Sequence, residues 1–116
     1  KNVAVSIHGA GGKEPVVYVG GRDKKLMDNA VVELRKQGFN AQYPPAHLVG
    51  DGPDNIVNRT KSGQGLQLEL STGMRKAMFT NNDHTKAHRQ NEANWSYNMT
   101  KFSNAVNSAI DKTYGY

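Results

Sequence analysis

Apolar and polar positions alternate over Val3-Ala4-Val5-Ser6-Ile7-His8, with Val3, Val5 and Ile7 on one side and Ala4, Ser6 and His8 on the other. That two-residue period predicts a strand, which Gly9, Gly11 and Gly12 end by opening a loop. Val16-Val17-Tyr18-Val19 is a continuous β-rich run between Pro15 and Gly20-Gly21, the pattern of a buried strand. The period then changes. Leu26, Met27, Ala30, Val31 and Leu34 recur at helical spacing, predicting a helix over 24–37 with Asp23 as its cap and Gly38 just past its end. A short strand is expected over 39–43, before Pro44-Pro45, and a turn-rich loop follows through Gly50-Asp51-Gly52-Pro53-Asp54-Asn55. Gly65-Leu66-Gln67-Leu68-Glu69-Leu70 reads as the next strand. Ser71 or Thr72 then starts a short helix reaching Phe79, and Asn81-Asn82-Asp83 interrupts it. A last helix is expected over about 91–111, with Trp95, Met99, Phe102, Val106 and Ile110 along one stripe.

Strands alternating with helices, and no linker between them, predict one α/β domain over 1–116 with an open, mixed, largely parallel sheet flanked by helices. Composition narrows the chemistry. The chain of 116 residues has no Cys, which excludes a disulfide framework, a cysteine zinc site and a thiol nucleophile. No apolar run approaches the roughly 20 residues of a membrane span, so no membrane partner is expected. Lys and Arg number 15 against 10 Asp and Glu, a net charge of +5 that suits an anionic partner. The chain opens at Lys1 directly on a strand, without Met or a signal sequence. The expectation is a processed protein or a piece of a longer one.

Two positions carry candidate chemistry. His8 ends a strand ahead of a glycine loop, the carboxyl edge at which open α/β sheets place their sites. Its alternative is a buried imidazole bonded to a loop carbonyl. Glu69 faces away from Leu66, Leu68 and Leu70, and in a sheet covered on both sides a mid-strand carboxylate costs several kcal/mol unless paired or used. It reads as a general base, as a side chain on a solvated strand face, or as the partner of Arg75 or Arg59.

Other signals carry less. Gly9-Ala10-Gly11-Gly12-Lys13 lacks the spacing and the Ser/Thr of a phosphate loop. His84 and His88 stand four apart, but Thr85 occupies the position where a zincin helix has Glu, and a solvated helix start is expected there. His47 sits in a Pro-containing loop. Tyr18, Trp95 and Tyr97 read as core or rim aromatics.

Ser6-Ile7-His8 at a strand end, followed by a strand bearing Leu68-Glu69-Leu70 with Thr72-Gly73 behind it, resembles the zinc carboxypeptidase pattern. A larger set resembles the narrower zinc-dependent poly-γ-glutamate hydrolases of Bacillus and its phages. The set is Ser6-Ile7-His8-Gly9, Val19-Gly20-Gly21, Asp54-Asn55-Ile56-Val57-Asn58-Arg59, Ser62 through Ser71, and Asn81-Asn82-Asp83. The resemblance implies a zinc-carboxypeptidase-like fold, present in part as the carboxyl-terminal portion of the domain. It also implies that zinc is the cofactor, that His8 is one ligand and Glu69 the general base, and that the other two ligands, a His and a Glu, lie upstream of Lys1. The expected reaction is hydrolysis of γ-glutamyl amides in poly-γ-glutamate, and the expected setting is extracellular or phage-associated. Asn58, Arg59 and Arg75 are the candidates for binding the polymer's carboxylates, with Lys13 and Lys61 weaker. The upstream half of the domain, in the same chain or a second one, is the expected partner.

Two other functions compete. A non-enzymatic basic module for nucleic acid fits the charge, but the basic residues are scattered and not interleaved with aromatics, so nucleic acid is not the expected partner. An inactive fragment lacking the upstream zinc ligands is the other.

Overall fold

A computed structural model describes residues 3–45 and 65–115. Four strands form one open sheet: β1 (Ala4–Gly9), β2 (Val17–Gly21), β3 (Ala41–Gln42) and β4 (Gly65–Leu70), in the order β1-β4-β2-β3. The β1–β4 and β2–β3 pairs are parallel and the central β4–β2 pair is antiparallel. The sheet is thus mixed and largely parallel, as expected, and helices flank it. These are α1 (Lys24–Lys36), α2 (Thr72–Ala77), α3 (Lys86–Arg89) and α4 (Tyr97–Tyr114). No helix among the described residues is long and apolar enough to cross a membrane.

Local chemistry accounts for most boundaries. The Asp23 carboxylate accepts the Leu26 N–H at 3.1 Å and starts α1, and Gly38, at φ +91°, follows its end. Ser71 caps α2 by accepting the Met74 N–H at 3.1 Å. The last helix begins at Tyr97, later than its apolar stripe suggests. Asn91 accepts from Ala93 N–H and caps a separate 3₁₀ turn over Glu92–Asn94, after which Trp95 and Ser96 are extended. Trp95 therefore leaves the helical stripe. It forms a β-bridge with Phe79, and its indole N–H donates to the Arg89 carbonyl.

The core lies on one sheet face. Leu66, Leu68 and Leu70 of β4 and Val17 and Val19 of β2 pack with Leu26, Ala30 and Leu34 of α1 and Phe102, Ala105 and Ala109 of α4. Each fully buried Leu or Val contributes about 1.5–3 kcal/mol of transfer free energy. Phe39 closes one end by meeting Phe102 edge-on, with ring centroids 6.0 Å apart. The two long helices are clasped at their ends, where Glu33 of α1 receives Lys112 of α4 at 2.5 Å and Lys36 at 3.2 Å. Asn29 donates to Thr113 nearby.

Two glycines permit close backbone approaches. Gly21 has φ +122°, and a Cβ there would overlap the Gly65 carbonyl on β4. Gly73 lies under the loop after β1, where a Cβ would overlap the Lys13 carbonyl oxygen.

Candidate functional site

The β1–β4 ladder pairs His8 with Glu69 and Ser6 with Gln67. On the other side of β4, the antiparallel ladder sets Tyr18 of β2 opposite Glu69. Directly paired residues project to the same side of a sheet. One face therefore carries Ser6, His8, Gln67, Glu69 and Tyr18, and the opposite face carries the leucines of β4.

Glu69 is 8% exposed and Gln67 6%, so the reading of a solvated strand face does not hold. The Gln67 amide donates to Glu69 Oε1 at 2.9 Å, a hydrogen bond from a neutral donor that satisfies one carboxyl oxygen without supplying a counter-charge. His8, in contrast, is exposed at the strand end. Its Nε2 hydrogen-bonds with Ser6 Oγ at 2.5 Å, which orients the ring and leaves Nδ1 as the nitrogen not used in that bond.

The loop leaving His8 is held at several points. The Ala10 N–H donates to the Leu70 carbonyl at 2.8 Å, and the Gly73 N–H donates to the Gly12 carbonyl at 3.0 Å. Ser71 is buried and has three bonds through one hydroxyl: it accepts from the Val16 and Met74 N–H groups and donates to the Glu14 carbonyl. These bonds join the end of β4, two residues past Glu69, to the segment connecting β1 and β2. The site's two strands are thereby locked in register at their carboxyl ends.

Arg75 is not brought to this face. Its Nη2 donates to the Ala10 carbonyl at 3.2 Å and to Thr72 Oγ1 at 3.1 Å, and it lies with Val5, Ile7 and Leu68 on the apolar side of the sheet. An ion pair between Glu69 and Arg75 is excluded by that placement. Asn58, Arg59, Lys61 and His47 lie outside the described residues. Lys13 is exposed in the loop after β1. His84 precedes α3, so His84 and His88 do not share a helix face, and His88 Nε2 bonds Thr80.

Gln67, Ser6 and Tyr18 are the site residues that sequence reasoning passed over. The two-residue spacing of Ser6 from His8 and of Gln67 from Glu69 was the available signal for the first pair. Tyr18 had none, because its place beside Glu69 depends on the β2–β4 register. Among the described residues no three His, Asp or Glu side chains converge as a metal site. His8 fits as a single ligand, with an exposed imidazole oriented by an adjacent hydroxyl. A catalytic zinc needs three protein ligands and an open position, a set that the described residues do not complete.

The family pattern described as poly-gamma-glutamate hydrolase matches residues 1–105. The chain belongs to the poly-γ-glutamate hydrolase family. Among solved structures of similar fold, a bacteriophage poly-γ-glutamate hydrolase superposes with a TM-score of 0.90 at 36% identity, covering 97% of this chain and 54% of the phage chain. A zinc-free apo form of YndL superposes with a TM-score of 0.82 at 28% identity, covering 95% of this chain and 54% of that one. Curated relatives include two proteins of Bacillus subtilis strain 168. UPF0714 protein YndL is 36% identical over 80 residues, and the SPbeta prophage-derived UPF0714 protein YoqZ is 34% identical over 110. Those matches cover 65% and 89% of this chain but 31% and 39% of the relatives. The chain thus spans about a third of the length of these curated relatives and about half of the solved chains.

Proposed function

We propose that this chain is the carboxyl-terminal portion of a zinc-dependent hydrolase domain that cleaves γ-glutamyl amide bonds in poly-γ-glutamate, with His8 as one metal ligand and Glu69 as the general base. The carrying observation is the direct pairing of His8 with Glu69, an exposed imidazole beside a buried carboxylate on one sheet face. Family membership and the zinc-free form of a relative support the reaction class and the metal.

Zinc, when bound, supplies Lewis-acid polarisation of the amide carbonyl and acidifies water. The chain's own residues do the rest. Glu69 takes the proton of the attacking water and returns it to the departing amine, a role that requires a carboxylate held in place and shielded from bulk solvent. Gln67 holds Oε1 by its amide and so restricts the carboxylate's rotation. Ser6 orients the His8 ring. The remaining ligands come from parts of the domain beyond these residues, consistent with the 54% share of the solved chains that this chain spans. Asn58 and Arg59 are the candidates for the polymer's side-chain carboxylates, which Arg engages bidentately.

The test uses a complete domain containing this chain. Poly-γ-glutamate chain length, followed by gel filtration, should fall over time, and chelation should stop the fall. Glu69→Gln should do the same without loss of bound zinc. Full cleavage by Glu69→Gln would remove Glu69 from the chemistry.

A further inference from the structure

Arg75 lies across the sheet from Glu69, yet it touches the turn that leaves His8. Its Nη2 donates to the Ala10 carbonyl at 3.2 Å and to Thr72 Oγ1 at 3.1 Å. Ala10 is thereby held at both of its backbone groups, because its N–H donates to the Leu70 carbonyl on β4 at 2.8 Å. The guanidinium also fills the place where residue 9 would carry a side chain. Gly9 ends β1, and a Cβ there would stand 3.0 Å from Arg75 Cζ and Nη1 and 3.4 Å from Nε. Contacts that short leave no room for a side chain, so glycine is what lets the guanidinium lie against the turn.

Stability alone does not account for this arrangement. Arg75 sits with Val5, Ile7, Leu68 and Leu70, and no carboxylate pairs with it among the described residues. Its Nε is buried with no hydrogen-bond partner among them. An unmet buried donor costs free energy, and an apolar side chain of similar length would fill the space without that cost. What an apolar side chain could not do is hold the Ala10 carbonyl. That hold matters at His8, which is exposed and is followed by Gly9, Gly11 and Gly12, residues that leave the backbone free to turn.

We infer that Arg75 is a positioning residue for the proposed metal site. It acts from behind the sheet, through Gly9 and Ala10, to fix the direction in which the chain carries His8. Ser6 sets the imidazole ring, and Arg75 sets the backbone that bears it. The inference rests on the proposed role of His8 as a metal ligand, and it takes Arg75 away from the polymer's carboxylates.

The experiment uses the complete domain with Arg75→Met, which keeps an unbranched stem and removes the charge and the donors. Zinc affinity, measured by competition with a chromogenic chelator, should fall at least about 10-fold, the lower end of what loss of an orienting partner costs. In the metal-free domain the Ala10 amide should exchange at least about 10-fold faster, while the amides of Leu66 and Leu68 keep the parent's rates. The metal-free Tm should stay within about 4 °C of the parent's. Arg75→Lys, which keeps a donor for the Ala10 carbonyl, should retain more zinc affinity than Arg75→Met. Gly9→Ala disturbs the same contact from the other side and carries the test by itself if Arg75→Met does not fold. It should weaken zinc binding in the parent and by less than about 2-fold more in Arg75→Met, because the two changes remove one shared contact. Unchanged zinc affinity or unchanged Ala10 exchange in Arg75→Met would overturn the inference. So would fully additive losses, or a large fall in Tm with faster exchange throughout the sheet, which makes Arg75 a structural residue only. A parent domain that binds no zinc sinks the ligand reading of His8 instead, and the Ala10 exchange then decides whether Arg75 holds the turn.

Discussion

His8 and Glu69 are register partners in the β1–β4 ladder, 61 residues apart in sequence and adjacent on one face of the sheet. Their environments differ, with the imidazole open at the strand end and the carboxylate buried under a Gln67 hydrogen bond.

Glu69→Gln should reduce the rate of poly-γ-glutamate cleavage by a complete domain at least about 100-fold, the scale on which a positioned general base contributes. The amide keeps the side chain's shape, so circular dichroism and Tm should stay close to those of the parent. A rate within a few-fold of the parent would refute the assignment.

His8→Ala separates a ligand from a structural histidine. Because His8 is exposed, its loss should change the metal-free protein's stability by no more than about 0.5 kcal/mol. Loss of an orienting partner alone costs about 10–100-fold in metal affinity, so loss of the ligand should cost at least 100-fold. Competition with a chromogenic chelator measures it.

Gly73→Ala and Ser71→Ala test the lock between the two strands of the site. A Cβ at Gly73 would overlap the Lys13 carbonyl, so the loop or α2 must move, at a cost of about 1–3 kcal/mol. Ser71→Ala removes a helix cap and leaves the Val16 N–H without its hydroxyl acceptor, again about 1–3 kcal/mol. Urea unfolding midpoints give both values.

Glu33 predicts an acid limb in the stability profile. Its bond to Lys112, aided by Lys36, holds its carboxyl below the ordinary value of 4.5 against the opposing effect of burial. A carboxyl lowered by folding contributes stability above its unfolded pKa, and that contribution fades as pH falls through the lower folded value. Glu33→Gln should therefore lower Tm at pH 7 more than at pH 3. Lys112, raised by the same bond, loses its contribution only as pH rises through a folded value above 10.5. Equal Tm differences at pH 7 and pH 3 would mean that the clasp adds nothing measurable.

Local chemistry made much of this protein legible without a structure. The Asp23 and Ser71 caps, the stripe of α1 and the alternation in β1 and β4 depend on neighbours within about four residues, so their sequence patterns predict them directly. The stripe through Trp95 failed because Asn91 caps a separate turn locally while Ser96 bonds across to the Ala77 and Met78 carbonyls, and both interrupt a helix. What the sequence by itself determined was the main strands and the long helices, though not α3 or the start of α4, and the motifs around His8 and Glu69 that resemble the hydrolase family. Only the tertiary structure decided that these two residues face each other, that Tyr18 and Gln67 join them, and that Arg75 lies across the sheet. Strand order and register come from side chains packed across tens of residues of chain. A one-residue change of register would send Glu69 to the leucine face.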